Sequence, residues 1–159
     1  MKSLISSMLI ILLLGICSKA FSDTSLSECL GLRGFSGSPV DVLKQNIEKY
    51  NNILKSNPSG NYANLALGIL YFEMYNSPGN TDTNAVNESI GCTEKFLEKD
   101  MDNPIGLLYN GLAHGIIARN SKDIFVKIKE GPIVGDELDR AVKHRGLCGE
   151  FRIQIIPLL

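Results

Sequence analysis

Tyr62-Ala63-Asn64-Leu65-Ala66-Leu67-Gly68-Ile69-Leu70 returns 47 residues later as Tyr109-Asn110-Gly111-Leu112-Ala113-His114-Gly115-Ile116-Ile117. Upstream, Glu48-Lys49-Tyr50 and Asn57-Pro58 return 46 residues later as Glu94-Lys95-Phe96 and Asn103-Pro104, so one residue is inserted in the turn after the prolines. A fixed period of this size marks stacked supersecondary units, because one unit alone cannot bury its apolar face. The expected fold class is therefore all-α: a short α-solenoid of antiparallel helical hairpins, two to three units long.

The local signals agree with that period. Ser38-Pro39-Val40-Asp41 combines a capping serine, a first-turn proline and a carboxylate three residues after the serine. Val40, Leu43, Ile47, Tyr50 and Leu54 then fall on one helical face. Asn57-Pro58-Ser59-Gly60 breaks the helix, and a turn this short predicts an antiparallel return. A second helix is expected from about Asn61 to Tyr75, with Tyr62, Leu65, Ala66, Ile69 and Leu70 as its stripe. A polar loop from Asn76 to Asn84 follows. The third helix, about Asn84 to Lys99, repeats the first, and the fourth opens at Asn103-Pro104.

The third unit is degenerate. Ser121 is expected to cap a short helix with Ile124, Phe125 and Ile128 inward. Gly131-Pro132 should interrupt it, and Asp136 to His144 should form another helix around Leu138, Ala141 and Val142. The last nine residues contain Phe151, Ile153, Ile155, Ile156, Leu158 and Leu159. A segment this apolar predicts either docking on the helices around Ile124 and Leu138 or a subunit contact. Phe151, Ile155 and Ile156 are the candidate interface residues, and homo-oligomerisation through them is one expected partnership.

The first 20 residues read as a signal peptide: Lys2, an apolar stretch through Ile16, then Ser18-Lys19-Ala20 as a small-residue cleavage site. The uncharged run Ser3–Ser18 has 16 residues, fewer than the ~18 expected of a spanning helix. Export to a periplasm or to the medium is the expected localisation. Leu14-Gly15-Ile16-Cys17 also resembles the bacterial lipobox, although Ile16 stands where that motif has a small residue. Acylation at Cys17 would make the protein a membrane-anchored lipoprotein, the one expected route to a membrane. Residues 21–38 form an N-terminal loop with a short helix around Leu26–Leu30, and 39–159 the repeat domain.

Without Lys2 and Lys19, 14 basic residues face 17 acidic ones, and no run of five or more Lys/Arg occurs. That excludes the electrostatic footprint of a nucleic-acid binder. Cys29, Cys92 and Cys148 remain after cleavage; their odd number leaves at least one thiol free or paired between chains, and the pairing is open. No C-x-x-C spacing signals zinc or redox chemistry, and no cofactor is expected.

The pattern resembles the tetratricopeptide repeat family. Leu67-Gly68 with Tyr71, then Phe96 and the closing Pro104, fit one unit, and Leu112-Ala113 with Gly115 opens the next. The resemblance covers roughly Val40 to Arg145. It departs in lacking Trp, in a period near 46 instead of ~34, and in His114 at the place equivalent to Leu67. It implies a divergent helical-hairpin module that binds a protein or peptide partner without catalysis. The candidate groove residues are Tyr62, Tyr71, Tyr109 and His114. Some exported members of that group accompany solute transporters, so a transporter-associated, solute-binding component is the alternative.

An enzymatic reading rests on His144 and Cys148, four residues apart, with no orienting acid apparent. Gly31, Gly34 and Gly37 lack the Gly-Lys-Ser/Thr of a phosphate loop and read as a flexible lead-in. No catalytic residue and no metal ligand is assigned.

Overall fold

The computed structural model describes residues 31–80 and 82–144. The expected signal peptide, Cys17, the short helix expected around Leu26–Leu30, Cys29, Cys148 and the tail residues Phe151, Ile155 and Ile156 lie outside them. The described chain is all-α, and the helices pack in chain order as a short helical stack. A 3-10 turn, Leu32–Phe35, leads into α1 (Val40–Ser56), α2 (Asn61–Asn76), α3 (Ala85–Leu97), α4 (Pro104–Asn120) and α5 (Ile124–His144). No helix among these residues is long and apolar enough to cross a membrane.

Helix starts follow local chemistry, with one correction. Asn103 caps α4: its side-chain oxygen accepts from the Ile105 and Gly106 amides, and Pro104 occupies the first turn. At α1 the cap position belongs to Pro39, whose carbonyl accepts from the Val42 and Leu43 amides. Ser38, expected to cap, instead offers its carbonyl to the Ser77 hydroxyl at 2.6 Å. That bond ties the lead-in to the far end of α2. Gly37 sits at φ 74°, a left-handed turn conformation that glycine adopts without a steric penalty.

Helices α2 and α4 form the inner row. Each is apolar or small on nearly every side, the mark of a helix covered all round. In α2, Ala63, Leu67, Gly68 and Met74 are buried along with Leu65, Ala66, Ile69 and Leu70 of the expected stripe, while Tyr62 is only partly buried, so burial extends beyond one face. The outer helices α1, α3 and α5 each bury one face. The direction of each helix shows in its cross-contacts. Asn61 at the start of α2 donates to the Phe96 carbonyl near the end of α3, so these two run antiparallel. Asn120 at the end of α4 donates to the Tyr75 phenol near the end of α2, so the two inner helices run parallel, as equivalent members of stacked hairpins do. One core joins α1, α2, α3 and the start of α4 around Tyr50, Leu65, Leu70 and Phe96. A smaller one gathers Val86, Ile90, Ala113 and Ile116.

The last unit departs from expectation. Residues 124–144 form one helix, with Pro132 inside it. The bond lost at Pro132 belongs to the Ile128 carbonyl, and both residues are exposed, so water can take the bond's place. Ile124, Phe125 and Ile128, expected inward, are 60%, 76% and 63% exposed. Val142 is also exposed, while Glu130, Glu137 and Ala141 face the body instead.

Candidate functional site

Two concave sites lie on opposite parts of the stack. The first is an open groove of about 720 Å³ on the first hairpin. Helix α1 supplies Lys44, Glu48, Asn51, Asn52 and Lys55, and Tyr71 comes from α2. These α1 residues recur at one-turn spacings on the flank of the helix beside its buried Leu43, Ile47 and Tyr50. The Tyr71 phenol is half-buried and hydrogen-bonded by the Asn51 side chain; burial raises its pKa above the ordinary value, with the Asn51 bond opposing. Lys55 reaches the Asn52 side-chain oxygen at 3.3 Å. The lining therefore combines an aromatic ring, carboxamides, lysines with one glutamate, and apolar surface from Ile47, Leu54 and Met74.

The second is a cleft of about 330 Å³ where α5 closes on α3 and α4. It is positioned by close helix contact: a Cβ on Gly111 would meet the Leu138 side chain at 3.2 Å. The absence of a side chain at Gly111 lets α5 approach, and the approach brings polar groups together in a relay. Thr93 of α3 donates to Asn110 Oδ1 at 2.6 Å, and Asn110 Nδ2 donates to Glu137 Oε1 of α5 at 2.6 Å. One turn along, His114 Nδ1 donates to Glu130 Oε2 at 2.5 Å, with both side chains about nine-tenths buried. Its other nitrogen lies 4.0 Å from the exposed Glu94 carboxylate. Glu137 Oε2 is buried and has no partner. Burial pushes the Glu137 carboxyl above its ordinary pKa, partly opposed by the Asn110 bond.

At the mouth of the cleft Arg140 is committed elsewhere. It donates to the Met101 carbonyl at 2.6 Å and to Asp102 at 3.0 Å, and stands 3.5 Å from Asp136. That guanidinium holds the Asp102 carboxyl below its usual range. His144 joins the same acid at 3.6 Å. His144 thus stands beside the turn before α4, while its sequence companion Cys148 lies outside the described residues. Cys92 is largely buried, and that burial pushes its thiol up to about 11. Among the described residues no three His, Cys, Asp or Glu side chains gather to hold a metal ion.

The four candidate groove residues do not share one surface. Tyr71 lines the α1–α2 groove and His114 the α3–α5 cleft. Tyr62 packs at 5.7 Å from the Phe96 ring. Tyr109 is 5% exposed and meets Phe72 edge-on at 5.4 Å, a core contact. Periodicity grouped these residues by helical face, but which helix covers each face depends on packing. Glu130 and Glu137 escaped notice although they stand seven apart, two turns on one face, opposite a glycine-rich helix. No protein family, no curated protein and no solved structure matches the chain.

Proposed function

We propose that the chain is an exported, tetratricopeptide-like binding module that holds a segment of a protein or peptide partner along the α1–α2 groove. Export rests on the leader-like first 20 residues, and the repeat assignment on the duplicated block. The observation that carries the binding reading is the groove itself. Asn51 and Asn52 are carboxamides, each with donor and acceptor capacity beyond its bond to Tyr71 or Lys55, the kind of group that pairs with an extended peptide backbone. Tyr71 adds a rigid aromatic surface of low ordering cost, and Lys44 and Lys55, against the one carboxylate of Glu48, favour a partner with acidic groups. Nothing in this set is a nucleophile paired with a base, so binding fits it better than catalysis.

The test is selection from a random peptide library against the immobilised full chain. Selected peptides should lose binding when Tyr71→Ala or Asn51→Ala is introduced, and keep it in a Leu138→Ala control away from the groove. Selected peptides indifferent to both groove changes, or no selection at all, would remove this reading.

A further inference from the structure

The α3–α5 cleft contains an unanswered acceptor. Glu137 is 9% exposed and lines the cleft; Asn110 occupies its Oε1, while Oε2 is buried with no partner. A buried carboxylate oxygen without a donor is costly, and native structures seldom keep one unless a ligand, water or ion completes it. The nearby donors are already engaged: the Arg140 guanidinium by Asp102 and Asp136, and His114 Nδ1 by Glu130. Glu94 adds a second carboxylate at the rim. The remaining wall is apolar, formed by Leu97, Met101, Leu107 and Ile133.

We propose that this cleft binds a primary ammonium group carried on a short methylene chain, with Glu137 Oε2 and Glu94 facing the ammonium and the apolar wall covering the chain. A single unpartnered oxygen on a cleft-lining carboxylate suits a compact point charge. A guanidinium fork needs both oxygens of one carboxylate, and Asn110 holds the other. An oxygen-ligated metal ion would need several converging acids, which the described residues do not supply. The apolar wall gives a stem of several methylenes a surface to cover, as long cationic side chains do elsewhere. Such an ammonium can be a lysine side chain of a partner or a free aliphatic amine. The site is separate from the α1–α2 groove and does not depend on it.

The experiment is an NMR titration of the full chain with n-pentylammonium. The Asn110 carboxamide and His114 ring signals should shift with a dissociation constant on the order of 1 mM. Glu137→Gln should weaken this about tenfold, Glu94→Gln about threefold, and n-butylguanidinium should bind about tenfold more weakly than the amine. If Glu137→Gln fails to fold, Glu94→Gln and the guanidinium comparison decide, because the Glu94 side chain is 58% exposed and carries little of the fold. A blocked lysine amide that binds more tightly than cadaverine assigns the site to a partner's side chain; the reverse order assigns it to a free amine. No shift up to about 50 mM amine, equal binding of the guanidinium, or affinity unchanged in both variants overturns the proposal.

Discussion

Gly68 of α2 lies so close to Thr93 of α3 that a Cβ on the glycine would overlap the threonine methyl group. The Ser89 hydroxyl donates to the Gly68 carbonyl at 2.8 Å in the same contact, so the backbone there has little room to yield. The repeat-equivalent Gly115 faces only Val134, at 3.9 Å. Two glycines at matching places in the repeat therefore have different reasons to be glycine.

Gly68→Ala is expected to destabilise the protein by about 1–3 kcal/mol through overpacking. Gly115→Ala should be neutral or stabilising by roughly 0.5–1 kcal/mol, since alanine favours the helix where space permits. Urea unfolding of the two variants checks both. Equal costs would show that α2 and α3 do not meet as closely as described.

The carboxyl of Glu137 titrates above its ordinary 4.5 because burial penalises its charge. The folded chain then holds that proton more tightly than the unfolded chain. Its favourable contribution is complete below about pH 4.5 and is lost as pH rises through the folded value. Glu137→Gln should therefore gain stability relative to the parent between that pH and neutrality, and the two curves should converge below it. Thermal unfolding across pH measures the difference. A gap independent of pH would mean that Glu137 ionises as freely in the folded chain as in the unfolded one.

Cys92 should be a poor nucleophile. Raising its thiol from 9.0 to about 11 lowers the thiolate fraction at neutral pH about 100-fold, and burial limits access further. Mass mapping after brief iodoacetamide treatment should find Cys92 unmodified in the folded protein and fully alkylated in urea. Rapid labelling under native conditions would contradict the packing of α3.

Phe125→Ser with Ile128→Ser should change stability by only about 0.5 kcal/mol, since both side chains face solvent among the described residues. Leu107→Ala, at 1% exposure, should cost about 2–5 kcal/mol. A large loss in the double variant would show that Phe151–Leu159 or a second copy of the chain covers that stripe.

The sequence made the first four helices legible because their signals are local. Asn103-Pro104 is a cap and a first-turn ring whatever lies nearby, and the Leu65 and Leu112 stripes repeat by count. The continuation of α5 through Pro132 was not legible. A proline costs a helix much less where the freed carbonyl meets water, and that exposure is a tertiary fact. The same limit applies to the site. Tyr109 and His114 stand on one helix, yet Tyr109 meets Phe72 of α2 and His114 meets Glu130 of α5. Spacing alone held one usable clue to the cleft: two glutamates two turns apart on a helix facing Gly111 and Gly115.

The first six residues of α5 contribute nothing fully buried, and the helix meets the body in force only from Glu130 onward. With Pro132 just beyond, α5 has two halves with different lifetimes. The amides of the leading half should exchange with solvent in the time of local fraying, while those around Glu137 and Ala141 should wait for the whole fold to open. Proteases sampling the native protein would then meet their first opening near Lys127 and Lys129, and a cut there would leave the four-helix body behind as the durable fragment.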